Sequence, residues 1–215
     1  VVDWARPTTG WFNTFTFPMT VQGLIINTYA GDDELIIDNT NGLVELPDFI
    51  QFNGGEGDDQ LTLTGTTQVT SAVYSVGPNV DEGTVTHTLA GPPDTVQKIH
   101  FTGLEPVVDL VAGPLTVNAT NGNNAINVGR TSGGNGLVSV DGFEAIEFAG
   151  KTSLTVNALG GSDTISVNNP AGLSGNVTVN GGDPTGSDRL IVNGTSGQDL
   201  AIFRPTGVDD GSVSV

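Results

Sequence analysis

Hydrophobic and polar positions alternate in short runs along most of the chain. Leu24 and Ile26, Leu35 and Ile37, Leu61 and Leu63, Leu115 and Val117, Ile126 and Val128, Leu154 and Val156, and Ile165 and Val167 are each separated by one residue, several times Thr or Ser. Period two sends alternate side chains to opposite faces of a strand, and these residue types favour strands. No helical period of any length occurs. Between the runs lie turns rich in Gly, Asn and Asp. Gly supplies positive φ there, and Asn or Asp bonds its own backbone. One template covers both parts: apolar, any, apolar, Asn, three residues, Gly, any, Asp or Asn, any, apolar, any, apolar. It fits from Leu24, Ile50, Leu115, Leu154 and Leu190, and from Val177 with two extra residues. Each template predicts strand, tight corner, strand.

The template sits inside longer repeats. Residues 101–142 align with 140–181 without gaps, at 15 identities in 42 positions. Residues 24–86 align with 154–215 at a shift near 129, with small indels. A single unit cannot bury its apolar face, whereas stacked units can. The expected fold is therefore all-β, a parallel β-solenoid (β-helix) with coils of about two dozen residues. A β-sandwich of short strands is the alternative. Residues 1–23 are read as an N-terminal cap or docking segment and 24–215 as the array, with a 39-residue repeat over 101–139 and 140–178. The chain stops where its own first copy continues, which suggests a segment of a longer repetitive protein. Asn27, Asn53, Asn118, Asn157, Asn180 and Asn193 are expected to stack as an inward-facing ladder, each amide bonding the next. In the cap, Trp4, Trp11, Phe12, Phe15 and Phe17 supply five of the 13 aromatics. They are candidates for covering the first coil or for an interface.

Composition narrows the function. The 215 residues carry 24 Asp and Glu against 6 Lys and Arg, a net charge of −18. Six scattered cations cannot build a nucleic-acid footprint. No apolar run of about 18 residues occurs, so membrane insertion by a helix is not expected. Without cysteine, disulfides, thiolate metal sites and thiol catalysis fall away.

The stretch Gly54-Gly55-Glu56-Gly57-Asp58-Asp59-Gln60-Leu61-Thr62 matches the nonapeptide G-G-x-G-x-D-x-U-x. It resembles RTX (haemolysin-type) calcium-binding repeats, with weaker versions at 158–166 and 194–202. The wider phrasing is similar to repeats of large secreted or surface β-solenoid proteins of bacteria. That resemblance implies an extracellular or cell-surface location. It also implies calcium as a ligand, with Asp32, Asp33, Asp58, Asp59, Asp163 and Asp188 as candidate metal residues. The nonapeptide is solitary, however, whereas RTX rolls carry it in tandem, and calcium needs six to eight oxygens.

Enzymatic chemistry finds little purchase. The acidic pairs Asp32-Asp33, Asp58-Asp59, Asp81-Glu82 and Asp209-Asp210 recur at equivalent repeat positions, the mark of a structural role. His87 and His100 read as outward strand residues, Lys151 as an isolated base, and Glu105 and Glu144 as equivalent turn charges. No unique polar constellation emerges, and no catalytic residue is assigned. The expected function is a non-enzymatic structural or adhesive segment of a long extracellular filament protein. Its partners would be like segments end to end, or surface glycans. The alternatives are a calcium-binding RTX-like module and a carbohydrate-active β-helix enzyme, a lyase or hydrolase.

Overall fold

A computed structural model describes residues 21–168, 176–183, 187–205 and 211–214. The aromatic candidates Trp4, Trp11, Phe12, Phe15 and Phe17 lie outside the described residues, as does most of the expected cap. The described chain is all-β and contains no helix. Its strands are β1 (Leu24–Asn27), β2 (Glu34–Asp38), β3 (Ile50–Asn53), β4 (Gln60–Thr64), β5 (Ser71–Val76), β6 (Glu82–Leu89), β7 (Thr95–Thr102), β8 (Val107–Asp109) and β9 (Gly113–Asn118). They continue as β10 (Ala125–Arg130), β11 (Gly136–Val140), β12 (Ile146–Phe148), β13 (Lys151–Asn157), β14 (Thr164–Asn168), β15 (Asn176–Asn180), β16 (Arg189–Asn193), β17 (Ile202–Pro205) and β18 (Gly211–Ser214).

Two eight-stranded sheets form, and the chain passes between them at each corner. One has the order β1-β3-β7-β6-β5-β9-β13-β15, and the other, read the same way, β2-β4-β8-β12-β11-β10-β14-β16. Most neighbours are parallel, as from β1 to β3 and β7 and from β9 to β13 and β15. The sheets are nevertheless mixed, which corrects the expectation of purely parallel coils. In the first, β5-β6-β7 is an antiparallel meander, and in the second β10-β11-β12 is another. Both meanders run backwards along the stack. The turn residues responsible are Gly77-Pro78-Asn79, Gly91-Pro92-Pro93, Gly133-Gly134-Asn135 and Asp141-Gly142, which favour local reversal over a crossover.

The sequence repeats are spatial neighbours. Strands β8, β9 and β10 of the first 39-residue copy lie parallel against β12, β13 and β14 of the second. Leu115 faces Leu154, Val117 faces Val156, and Ile126 faces Ile165. The more distant relation is also kept. β1 to β4 and β13 to β16 pair alike, and β17-β18 forms an antiparallel hairpin as β5-β6 does. Even unusual backbone is shared: Tyr29 has φ 71 and Leu159 φ 74.

The apolar faces of β2 to β14 are buried in one core, built on Phe52, Leu61, Leu63, Ile99, Phe101, Leu115, Ile126, Leu154 and Ile165, with Leu24 and Ile26 of β1 and Val177 and Val179 of β15 packed against it. Leu190 of β16 and Ile202 and Phe203 of β17 are exposed. The second glycine of each Asn-Gly-Gly corner allows the coils to touch. A Cβ on Gly55 would lie 1.7 Å from the Tyr29 carbonyl oxygen, and one on Gly182 1.7 Å from that of Leu159.

Candidate functional site

The Asn residues form hydrogen-bonded ladders, but on the outward face. Asn157 donates to Asn118 at 2.8 Å, Asn180 to Asn157 at 2.7 Å, and Asn53 to Asn27 at 2.6 Å. Asn118 in turn donates to Ser75 at 3.1 Å. Asn193 belongs to the other sheet and donates to Asn168 at 2.7 Å. The inward expectation fails because the template alternates: with Leu115 and Val117 buried, Asn118 must point out.

The candidate metal residues occupy the corners, where backbone amides already use four of the six carboxylates; Asp33 and Asp58 contribute backbone N–H groups there instead. Asp59 Oδ1 accepts the Asp33 N–H at 2.8 Å, Asp163 Oδ1 the Asn124 N–H at 2.7 Å, and Asp188 Oδ1 the Asp163 N–H at 2.9 Å. Asp32 Oδ1 accepts the Asp58 N–H at 3.1 Å. Each carboxylate thus caps a corner of the adjoining coil. Among the described residues, the other oxygens of Asp59 and Asp163 are buried without a hydrogen-bond partner. Burial first, then the charges of Asp33, Asp32 and Asp58, push the Asp59 carboxyl up, against the hydrogen bond from Asp33. Among the described residues, no group of three or more His, Cys, Asp or Glu is placed to hold a metal ion.

Glu105 and Glu144 are repeat equivalents, so stacking β8 on β12 brings them near each other. Burial, then the charges of Glu105 and Asp81, push Glu144 up to about 7. A cleft of about 320 Å³ opens beside Gln51, Pro78, Glu82, Thr84, His100 and Thr102. Its one carboxylate does not make the pair that glycoside hydrolysis needs.

One buried ionic cluster is unique among the described residues, and the sequence reading missed it. His87 is fully buried rather than outward, because it shares strand parity with Val85. Its Nε2 lies 3.1 Å from Asp109 Oδ2, and Lys151 Nζ lies 2.7 Å from the same oxygen. Lys151 also donates to the Val111 carbonyl at 2.5 Å, while Asp109 Oδ1 accepts the Val111 N–H at 3.0 Å. All three side chains are shut off from solvent. Asp109 shares parity with Val107, and its partner in the stacked copy is Phe148. Lys151 turns inward because the β13–β9 register shifts between Lys151 and Ser153, and a bulge re-aims the side chain. Burial works against a charge on Asp109, yet His87 and Lys151 hold its carboxyl below the usual range. Burial likewise pushes the Lys151 ammonium down, against the pull of Asp109. Next to the cluster, Gln97 faces His87 across β6–β7 and exchanges amide hydrogen bonds of 2.9 and 3.2 Å with buried Asn39.

Among the described residues, these features define an all-β protein of two large sheets and a small hairpin sheet, with a repeated acidic corner and a single buried ionic cluster. No family model matches the chain, and no curated protein or solved structure does either.

Proposed function

We propose that this chain is a structural, non-enzymatic segment of a long extracellular bacterial surface or filament protein, in which β-coils stack as a solenoid interrupted by two meanders. The observation that carries the reading is that sequence repeats stack on one another in register, with matching corner bonds. The Ala30–Glu56 bridge has its equivalent in Gly160–Asp183, and the Gly31 N–H to Glu56 bond in Gly161 N–H to Asp183. A fold whose copies template each other extends by adding copies. Among the described residues, the stack ends on β1 and β2 at one side and on β15 and β16 at the other. Such edges favour strand addition from a like segment. The recurring acids support the same reading, since a carboxylate that caps one corner after another is architectural.

Electron microscopy of the native material, with sedimentation of the 215-residue chain, tests this. Elongated particles that associate end to end are expected. Separate compact particles that stay monomeric at high concentration would sink the proposal, as would cleavage of any surface glycan by the purified chain.

A calcium-loaded array is the second reading, favoured by the partnerless oxygens of Asp59 and Asp163. It predicts a melting temperature that rises between chelator and millimolar calcium. An unchanged melt removes it and leaves the structural proposal standing.

A further inference from the structure

We propose that Lys151 and Asp109 condense spontaneously into an intramolecular amide, a covalent cross-link between β13 and β8 across the core. Three observations carry this. The amine and the carboxylate are in contact at 2.7 Å, in a place no external substrate reaches. The two carboxyl oxygens are differentiated: Oδ1 is held by the Val111 N–H, whereas Oδ2 faces both Lys151 and His87. Finally, the Lys151 ammonium has three hydrogens and, among the described residues, two acceptors, Asp109 Oδ2 and the Val111 carbonyl. Retaining a charge pair in an apolar core carries a desolvation cost that an amide does not.

The step balances without any co-reactant. Lys151 Nζ attacks Asp109 Cγ, the Nζ–Cγ bond forms, and the Cγ–Oδ2 bond breaks. Oδ1 becomes the amide oxygen, with the Val111 N–H stabilising the negative charge that develops there. Of the three ammonium hydrogens, one stays on the amide nitrogen and points at the Val111 carbonyl. The other two leave on Oδ2 as water. One crosses directly from Nζ. The second travels through His87, whose Nε2 gives its proton to Oδ2 and recovers one from Nζ. The ring is set up for this: among the described residues its Nδ1 is buried with no partner, and Nε2 is the nitrogen that faces the carboxylate. Nothing is oxidised or reduced. The amide ties the first 39-residue copy to the second where the chain leaves the regular coil. This inference does not rest on the filament reading.

Intact-mass spectrometry of the purified, denatured full chain tests it directly. The expected mass is lower than the sequence mass by one water, with peptide mapping locating a branched peptide that joins 109 to 151. Lys151→Arg keeps the cation without the nucleophile and is expected at full mass. His87→Gln is expected to leave a measurable uncondensed fraction. The proposal is overturned if wild-type protein that melts cooperatively shows its full mass. It is equally overturned if the water loss maps to either Asp-Gly bond, at 141–142 or 210–211, instead.

Discussion

Gly55 tests whether the coils touch as described. Its φ is +117, close to the +110 of Gly42, yet the surroundings differ sharply. Nothing lies within 4 Å of a Cβ built on Gly42, whereas the same atom on Gly55 falls 1.7 Å from the Tyr29 carbonyl oxygen. Alanine at either site bears the strain of a backbone region that is essentially reserved for glycine, about 1–3 kcal/mol. Gly55→Ala must in addition push one coil away from the next. The bonds at risk are Glu56 N–H to the Tyr29 carbonyl at 2.7 Å and Gly31 N–H to the Glu56 carbonyl at 2.8 Å. At ~1 kcal/mol each, they make Gly55→Ala worse than Gly42→Ala by about 2 kcal/mol. For a chain of this size that is a melting-temperature difference on the order of 4–8 °C. Urea denaturation of the two variants side by side cancels the shared backbone strain. Gly182→Ala, against the Leu159 carbonyl, is expected to copy Gly55→Ala. If Gly42→Ala and Gly55→Ala lose equal stability, the coil-on-coil contact is not there and the stacking argument fails.

Other expectations follow from the ladders and the acids. Asn157→Ala removes a donor to Asn118 and an acceptor from Asn180, and should cost about 1 kcal/mol at its half-buried site; Asn27→Ala, at the end of its ladder, should cost less in the same melt. Glu144 titrates near 7 when folded, above its ordinary value. The folded state therefore prefers the proton, and stability is present at acid pH and lost as pH rises from the unfolded value towards 7. Glu144→Gln should accordingly stabilise at pH 8 by ~1 kcal/mol, discounted for partial exposure, and do nothing near pH 4; an equal effect at both pH values contradicts the cause given. Asp59 is also held above its ordinary range, so its carboxyl loses stability as pH rises through its folded value. Asp59→Asn keeps the acceptor for the Asp33 N–H and should gain relative to wild type as pH rises, whereas Asp59→Ala, which orphans that N–H, should lose about 1–2 kcal/mol.

Much of the architecture is legible in the sequence because it is written more than once. Alternation around Leu115 and Val117 gives β9, and the gap-free shift that carries them to Leu154 and Val156 gives its stacked neighbour. The meanders are written only locally, in turn signals such as Gly77-Pro78-Asn79 that do not recur in the template. The longer repeat carries the β5-β6 hairpin with it, but nothing in the template says that its strands reverse. Parity is the signal left unused for His87 and Asp109. Each sits two residues from a buried valine, so its strand predicts an inward side chain whatever its chemistry. The same rule places Asn118 outward. Lys151 is different. Counting back from Leu154 by twos lands on Thr152, which is exposed, and only the bulge brings Lys151 inside. No periodicity argument finds a residue whose orientation depends on breaking the period.

The position of the cluster answers a problem that repeats create. When Leu115-Thr116-Val117-Asn118-Ala119 and Leu154-Thr155-Val156-Asn157-Ala158 are nearly the same strand and corner, pairing one coil out of place costs little in apolar burial. A slip by a whole coil also keeps the inside and outside faces correct, so alternation gives no protection against it. His87, Asp109 and Lys151 occur once and lie on β6, the middle strand of the first meander, and on β8 and β13, which flank the second along the chain. Joined as ions or as an amide, Asp109 fits only Lys151. A displaced coil would set it against an apolar neighbour, as its stacked counterpart Phe148 shows. An unpaired buried charge costs about 3–5 kcal/mol, enough to select one arrangement. The triple replacement His87→Leu, Asp109→Phe, Lys151→Met is therefore expected to keep its strand content while losing uniqueness, seen as doubled amide resonances. Retention of a single set of resonances, with β9 still paired to β13, would show that the meander turns alone fix the register.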